Sequence, residues 1–312
     1  METIKLTQSI KNFLEYLKIR GKSHHTLISY SRGLDLFKKQ LGNIPIDQIT
    51  KRNLINYQLW LSKLKGKSSQ NLSLATQSHY LIIIRSFIAH LQKQDYKIAI
   101  TPQIIELPKI SDREVTFLDR SELRKLLKAP LRYQAKPIIN LRDKAILELL
   151  FSTGLRLFEL TNLNKEQINF KQKELAIIGK GGKIRLVFLS GNAIDGLENY
   201  LKARKDNCPA LFVRHDRDII ARLSPRGVQL LITKYSKLAK IVKKVTPHTM
   251  RRSFAVDLLN NGCNLYFVQK LLGHSSISTT ERYLSVSNNF LKEAYHKFHD
   301  KRLTKKNKKD NL

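Results

Sequence analysis

The sequence contains little cysteine. Its 312 residues include two cysteines, Cys208 and Cys263, which lie far apart and have no metal-ligand spacing with histidine. A zinc module needs several such ligands at short spacings, so the pattern gives no sign of one. With two isolated thiols and no recognisable signal peptide, we expect a protein of a reducing compartment, the cytoplasm.

Long apolar segments are also lacking. The most apolar run, LIIIRSFIAHL at residues 81–91, is interrupted by Arg85 and is too short to span a bilayer. No amphipathic anchor stands out, so the sequence predicts a soluble intracellular protein without a membrane partner. Carboxylate clusters and a phosphate-cradling P-loop are missing as well, and we expect neither a metal ion nor a cofactor.

Acidic residues are scarce relative to basic ones. The chain has 57 lysines and arginines against 25 aspartates and glutamates, which gives a formal net charge of +32. Residues 1–107 contain 16 basic and 6 acidic residues and the remainder 41 and 19, so both parts are basic. This excess indicates a polyphosphate partner, with nucleic acid ahead of an anionic membrane surface. A lysine-rich proteome would explain the lysines but not the positions of the arginines.

The amino-terminal part has the pattern of amphipathic helices. Apolar residues at helical spacing predict a first helix over residues 7–20, which stops at Gly21. Ser23, Thr50 and Ser73 are typical helix caps and predict three more helices. We therefore expect a four-helix domain of about 100 residues.

The pattern changes after residue 100. Residues 101–116 contain two prolines and no helical period, as expected of a linker. One helix is predicted after a Ser121 cap, another up to Gly154, and a third from about Arg156. Further helices are predicted near residues 192–204, from Pro225 to about Val242, and after Pro247.

A β-hairpin is predicted in the middle of this part. Gly181 and Gly182 separate the β-rich runs ELAII and IRLVF, a signal for a tight hairpin turn. Lys180 and Lys183 flank the glycines, and lysines at such turns are most often solvated. The chain as a whole is predicted to be mainly α with a small β-sheet, in the α+β class.

Some polar residues stand where aliphatic ones are expected. Burying the guanidinium of Arg156, within TGLRLFEL, is costly without a partner, and an ion pair with Glu159 is the structural explanation. His248 and Arg251 follow Pro247 three residues apart, so they share one helix face and can reach the same anion. Taken singly, such residues are more often helix ends or packing contacts.

Three motifs near the carboxyl end give the most specific signal. In order, they are HTMRRSFAVDLL, LLGHSS and TTERYL. Gly273 ends one helix, and Ser278 with Glu281 forms a capping box for the next helix, which carries Tyr283. Together the motifs resemble the second signature box of the tyrosine recombinases, the phage-integrase family, in its Xer type. The departures from the family pattern are Arg252 for histidine, Val256 for threonine and Leu284–Ser285 for Thr-His.

The resemblance implies a two-domain architecture. The four-helix part is similar to the SAM-like core-binding domain of the family, and the rest to its catalytic domain, the two forming a C-shaped clamp on DNA. The expected limits are residues 1–100 for the core-binding domain, 101–116 for the linker, 117–302 for the catalytic domain and 303–312 for a basic disordered tail.

The resemblance also implies six catalytic residues: Arg156, Lys180, His248, Arg251, His274 and Tyr283. The Tyr283 phenol would attack phosphorus and form a 3′-phosphotyrosine, while His248 accepts the phenol proton and Lys180 protonates the leaving 5′-oxygen. The two arginines would grip the phosphate oxygens, and His274 would hydrogen-bond the phosphate. Glu159 takes a supporting position. Candidate DNA contacts are Lys63, Lys65, Lys67, Lys183, Arg222 and Arg226.

The implied function is site-specific recombination. Its partner is double-stranded DNA with an inverted-repeat core site, bound as a tetramer on two duplexes by four copies or by two paralogues. Xer-type chromosome dimer resolution, in a nucleoid-associated cytoplasmic protein, is the leading hypothesis. An integrase of a mobile element would keep the same chemistry. A type IB topoisomerase would share the tyrosine nucleophile, and an architectural DNA-binding protein would keep the fold without catalysis.

Overall fold

The computed structural model describes residues 4–66, 69–110, 116–133, 136–178, 184–215 and 220–273. The chain divides into two compact units, Met1–Arg113 and Glu114–Leu312. Among the helices in these described ranges, none has both the length and the apolar character needed to cross a membrane.

The amino-terminal unit is helical. Ser23, Thr50 and Ser73 each accept a hydrogen bond from the backbone amide three residues further on, which confirms the three predicted caps. The helices are α1 (Leu6–Ile19), α2 (His24–Leu41), α3 (Lys51–Lys63) and α4 (Leu74–Lys93).

Close packing of α1, α2 and α4 forms much of the core of this unit. The rings of Phe13 on α1 and Phe87 on α4 lie 5.5 Å apart between centroids. On α2, a Cβ at Gly33 would lie 2.8 Å from the Ile83 side chain, so glycine allows α2 to approach α4 closely. The apolar stripes of the sequence therefore meet in one hydrophobic cluster.

The carboxyl-terminal unit is built around one buried helix. The helices are α5 (Arg120–Arg132), α6 (Pro137–Thr153), α7 (Leu157–Asn162), α8 (Gly191–Ala203), α9 (Pro225–Leu238), α10 (Pro247–Asn260) and α11 (Leu265–Leu272). Helices α5, α8 and α10 pack against α6. Because neighbours surround α6, its Ile146, Leu147, Leu149 and Leu150 are all fully buried.

A small antiparallel sheet adjoins these helices. Its strands are β1 (Ile168–Asn169), β2 (Glu174–Ile178) and β3 (Ile184–Phe188), in the order β1-β2-β3. Ile177 of β2 lies opposite Arg185 of β3. The two strands expected from the sequence are thus present, and β1 was not predicted because two residues are too few to show a period. The hairpin turn itself lies outside the described residues.

Two helix ends differ from the sequence prediction. Asp119, not Ser121, caps α5: its carboxylate accepts from the Glu122 amide at 2.8 Å, and the Glu122 carboxylate accepts from the Asp119 amide at 3.0 Å. This reciprocal box satisfies two backbone donors at once. Helix α9 ends at Leu238, short of the predicted end near Val242, because Lys240 has a left-handed backbone with φ 56°.

Candidate functional site

Arg251 is a buried arginine on α10. The helix begins at Pro247, whose fixed φ suits the first helical position, and the Thr246 side chain caps it. Arg251 is only 4% exposed. Its Nη1 donates to the Gly154 carbonyl at 2.7 Å and its Nη2 to the Leu272 carbonyl at 2.6 Å. These carbonyls lie at the carboxyl ends of α6 and α11, where backbone acceptors lack helical partners and a cation is favoured.

The turn after α6 presents Arg156. Gly154 has φ 59°, and a Cβ there would lie 2.5 Å from the Phe254 ring, so the turn requires glycine. The Arg156 backbone N–H donates to Glu159 Oε2 at 2.8 Å, and Nη1 donates to Oε1 at 3.0 Å. Its Nη2 donates to the Gly273 carbonyl at 3.3 Å, and the side chain is 42% exposed. The ion pair with Glu159 is therefore present, and the guanidinium still reaches solvent.

The two arginines meet at one helix end. Arg251 donates to the Leu272 carbonyl and Arg156 to the carbonyl of the next residue, Gly273. Two guanidinium groups, one from the turn before α7 and one from α10, are thereby held at the carboxyl end of α11. Forked donors in this arrangement suit the oxygens of a single phosphate.

His248 lies one turn before Arg251 on α10, and its side chain is partly exposed and partly covered. Partial burial of the imidazole lowers its pKa, and the positive charges of Arg251, Arg252 and Arg156 lower it further. The ring is therefore predominantly neutral at pH 7, so a nitrogen lone pair is available to take a proton. The sequence expectation that His248 and Arg251 share one face agrees with their positions on α10.

Glu159 lies between two arginines. Its carboxylate accepts from Arg156 on one side, and its Oε2 accepts from Arg185 Nη2 at 2.8 Å on the other. Burial raises the pKa of Glu159, but the hydrogen bonds from Arg185 and from the Arg156 backbone outweigh it and hold the pKa below its usual range. Sequence reasoning missed Arg185. The signal was a cation alternating with apolar residues along a strand.

Several predicted residues lie outside the described ranges. These are Lys67, Lys180, Lys183, His274 and Tyr283. Lys63, at the end of α3, and Lys65 are exposed, as is Arg226 in the first turn of α9. Among the described residues, no three His, Cys, Asp or Glu side chains are grouped so that they could hold a metal ion.

Arg222 is engaged within the protein. Its Nη1 donates to the carbonyls of Thr161 and Leu163, at 3.0 and 2.7 Å, and its Nη2 donates to Asn164 Oδ1 at 2.5 Å. The guanidinium therefore joins the loop before α9 to the end of α7. Its role as a DNA contact stays a prediction.

Comparison with known families agrees with this geometry. Residues 116–289 match the phage integrase family, and residues 10–95 match the phage integrase N-terminal SAM-like domain. Each match falls mainly within one of the two compact units.

Individual proteins resemble the chain over nearly its whole length. It is 35% identical to tyrosine recombinase XerA of Pyrococcus horikoshii, with 95% of both chains covered. It is also 35% identical to tyrosine recombinase XerC of Thermodesulfovibrio yellowstonii, with 93% of this chain and 95% of the relative covered.

A solved structure has the same fold. It is the XerH site-specific recombinase bound to palindromic difH substrate in a post-cleavage complex, with a TM-score of 0.74 and 21% identity, over 92% of this chain and 83% of that one. Both family matches, the Xer relatives and this fold lead to one conclusion. The chain belongs to the phage integrase family and is a tyrosine recombinase of the Xer type, an enzyme that cleaves and rejoins DNA through a covalent tyrosine intermediate.

Proposed function

We propose that the chain carries out Xer-type recombination at one inverted-repeat DNA site and acts in chromosome dimer resolution. The observation that supports this most directly is the pairing of Arg156 and Arg251 at the carboxyl end of α11. Two guanidinium groups held there provide a binding place for one phosphodiester within a strongly basic protein.

In the proposed mechanism, the arginines bind the scissile phosphate. Arg251 is oriented by the Gly154 and Leu272 carbonyls, and Arg156 by Glu159. Orientation before the DNA arrives means that little rearrangement is needed as negative charge builds on the phosphate oxygens in the transition state. Both arginines therefore supply charge stabilisation, and His274 adds a hydrogen bond to the phosphate.

Proton transfer is assigned to three residues. The Tyr283 phenol attacks phosphorus in line, the neutral His248 imidazole accepts the phenol proton, and Lys180 protonates the leaving 5′-oxygen. The O–P bond to Tyr283 forms as the P–O bond to the 5′-oxygen breaks, giving a 3′-phosphotyrosine and a free 5′-hydroxyl. Because the phosphodiester energy is conserved, a 5′-hydroxyl of a second duplex reseals the strand without ATP.

The assembly follows from this chemistry. Exchange between two duplexes needs one active site at each of four strands, so we propose a tetramer, made of four copies of this chain or of two paralogues. The protein would act on cytoplasmic, nucleoid-associated DNA. The proposed parts are a core-binding domain at residues 1–100, a linker at 101–116, a catalytic domain at 117–302 and a basic tail at 303–312.

The decisive experiment maps covalent adducts on DNA. The full chain is incubated with fragmented genomic DNA from its own source and denatured with SDS, and the protein-linked 3′ ends are recovered and sequenced. We expect the ends to converge on one inverted-repeat site in the chromosome. Tyr283→Phe, treated in parallel, serves as the control for adducts that do not depend on this tyrosine.

Other outcomes would contradict the proposal in different ways. A site at the border of a mobile element would make the protein an integrase of that element and would overturn the chromosomal role. Adducts scattered over many sequences would indicate a topoisomerase. Tight binding without adducts would indicate a DNA-binding protein without cleavage activity.

A further inference from the structure

Arg185 occupies an inward position on β3. Ile184, Leu186 and Phe188 point outward and are 71%, 54% and 57% exposed. Arg185 and Val187 alternate with them and share the opposite face, where Val187 is 2% and the Arg185 side chain 19% exposed. A charged residue on the inner face of a strand requires partners, because burying a guanidinium is costly.

The first partner of Arg185 is Glu159. Nη2 of Arg185 donates to Glu159 Oε2 at 2.8 Å, the oxygen that also accepts from the Arg156 backbone amide. The Glu159 side chain is only 9% exposed. Its negative charge is therefore shared between two guanidinium groups, one on β3 and one at the start of α7.

The second partner is the backbone of Gly273. A Cβ at Gly273 would lie 3.1 Å from Arg185 Nη1 and 3.2 Å from its Cζ, so the guanidinium packs directly on this residue. The Gly273 carbonyl accepts from Arg156. Gly273 is thus contacted by both arginines, and it immediately precedes His274 in the sequence.

The charges of Arg156, Glu159 and Arg185 determine whether Arg156 can bind a phosphate. Without Arg185, the carboxylate of Glu159 would neutralise Arg156, its other cationic partner among the described residues, because two opposite charges in contact at a partly buried position interact strongly. With Arg185 present, its guanidinium balances the negative charge of Glu159, and the charge of Arg156 is not cancelled. Nε of Arg185 is buried without a hydrogen-bond partner among the described residues.

We propose that Arg185 is a positioning residue for DNA cleavage: it neutralises Glu159, which leaves the charge of Arg156 available for the phosphate, and it holds Gly273 against β3. The inference rests on the proposed function, because it takes Arg156 as a ligand of the scissile phosphate. Arg185 also connects β3 to the turn that carries Arg156. In the sequence, β3 directly follows the segment that contains Lys180.

The test is a double-mutant cycle on Arg185 and Glu159. The assay follows covalent adduct formation on a nicked duplex that carries the site recovered by adduct mapping, with DNA binding measured separately. We expect Arg185→Gln to bind DNA like the wild type but to form adduct about 10- to 100-fold more slowly, a smaller loss than removal of a phosphate donor itself causes. Lys171→Gln, which removes an exposed charge near β2, is the matched control and should cleave normally.

The double variant separates charge balance from packing. If Arg185 neutralises Glu159, Glu159→Gln combined with Arg185→Gln should cleave faster than Arg185→Gln alone, to within about threefold of Glu159→Gln. A double variant as slow as Arg185→Gln would overturn the charge argument, since a residue needed only for packing gains nothing from the second change. Arg185→Lys keeps the charge and should cleave within about tenfold of the wild type.

The controls distinguish failure of this inference from failure of the proposed function. If adduct mapping with the wild type recovers no site, the proposed function is wrong, and an adduct that persists in Tyr283→Phe shows that another residue is the nucleophile. If the wild type cleaves, Tyr283→Phe does not, and Arg185→Gln cleaves at the wild-type rate, only the role of Arg185 is wrong. Should Arg185→Gln fail to fold, Arg185→Lys decides: a folded Arg185→Lys protein that cleaves more than about tenfold slower overturns the charge argument.

Discussion

Arg156 and Arg251 donate hydrogen bonds to consecutive carbonyl groups at the carboxyl end of α11, those of Gly273 and Leu272. The two arginines come from distant parts of the sequence, one from the turn after α6 and the other from α10. Unpaired carbonyls at a helix end carry partial negative charge, which offsets part of the repulsion between the two guanidinium groups. The end of one short helix thereby holds both cations on neighbouring carbonyl groups.

The two arginines differ in burial, and this difference predicts different effects on stability. Arg251→Ala would leave the buried Gly154 and Leu272 carbonyls without their cationic donor, so we expect the free energy of unfolding to fall by about 2–3 kcal/mol. Arg156→Ala removes a 42% exposed side chain, and its loss should cost less than about 1 kcal/mol. Denaturant unfolding of both variants measures the difference.

Both arginine variants should nevertheless lose cleavage to a similar degree. Removing one donor to a developing oxyanion typically costs about 100- to 1,000-fold in rate, and we expect reductions of this order for Arg251→Ala and Arg156→Ala. The rate of adduct formation on bound DNA is the measurement. A near-normal rate in a folded variant would remove that arginine from the active site.

Much of the fold is encoded in local sequence signals. Ser23, Thr50 and Ser73 mark helix starts because a side-chain oxygen before an apolar period satisfies a backbone amide. Gly154 ends α6 as predicted because a left-handed residue is needed there. The start of α5 was predicted less well, because Asp119 and Ser121 both suit a cap and the reciprocal bond with Glu122 decides between them.

The site was predictable only in part. The motifs select Arg156, His248 and Arg251, but local sequence does not reveal that Arg251 is buried between two helix ends. Arg185 escaped notice because its importance depends on which face of β3 points inward and on a carboxylate distant in sequence. Contacts of this kind are set by tertiary packing, which overrides what a short segment indicates.

Tyr283 is predicted to be the residue that becomes covalently attached to DNA. Tyr283→Phe removes only the hydroxyl oxygen, so we expect unchanged DNA affinity and no adduct. Tyr266→Phe is a matched control, because Tyr266 is an exposed tyrosine on α11 with no assigned role. Denaturing gel electrophoresis of labelled DNA shows the adduct directly. An adduct with Tyr283→Phe would show that another residue is the nucleophile.

The pKa of His248 sets the pH at which the cleavage rate declines on the acid side of the pH–rate profile. A general base acts in its unprotonated form, and the His248 pKa lies below 6.5 because of partial burial and three neighbouring arginines. The rate should therefore still exceed half of its maximum at about pH 6.5, with the midpoint of its decline at the lowered pKa. A single-turnover pH–rate profile measures this. A decline already centred at or above about 6.5 would contradict the assignment.

A change at Arg252 should shift the pH at which the cleavage rate declines. It is one of the cations that lower the pKa of His248, and it stands where the family usually has histidine. Arg252→Gln removes its charge, so the His248 pKa should rise and the acid limb should shift to higher pH, with the plateau rate retained. Lys171→Gln is the control, because Lys171 is exposed on the β1–β2 turn. This variant should leave the pH–rate profile unchanged.

Arg226 and Arg222 provide a matched test of the DNA-binding surface. Arg226 is exposed in the first turn of α9, so Arg226→Gln should reduce the slope of log K against log salt by about one without lowering stability. Arg222 instead donates to Thr161, Leu163 and Asn164, so Arg222→Gln should lower the free energy of unfolding by about 2 kcal/mol. Salt-dependent binding and denaturant unfolding of both variants give the comparison. An unchanged salt slope in Arg226→Gln would place that residue away from the DNA, because a phosphate contact cannot be lost without losing its counterion release.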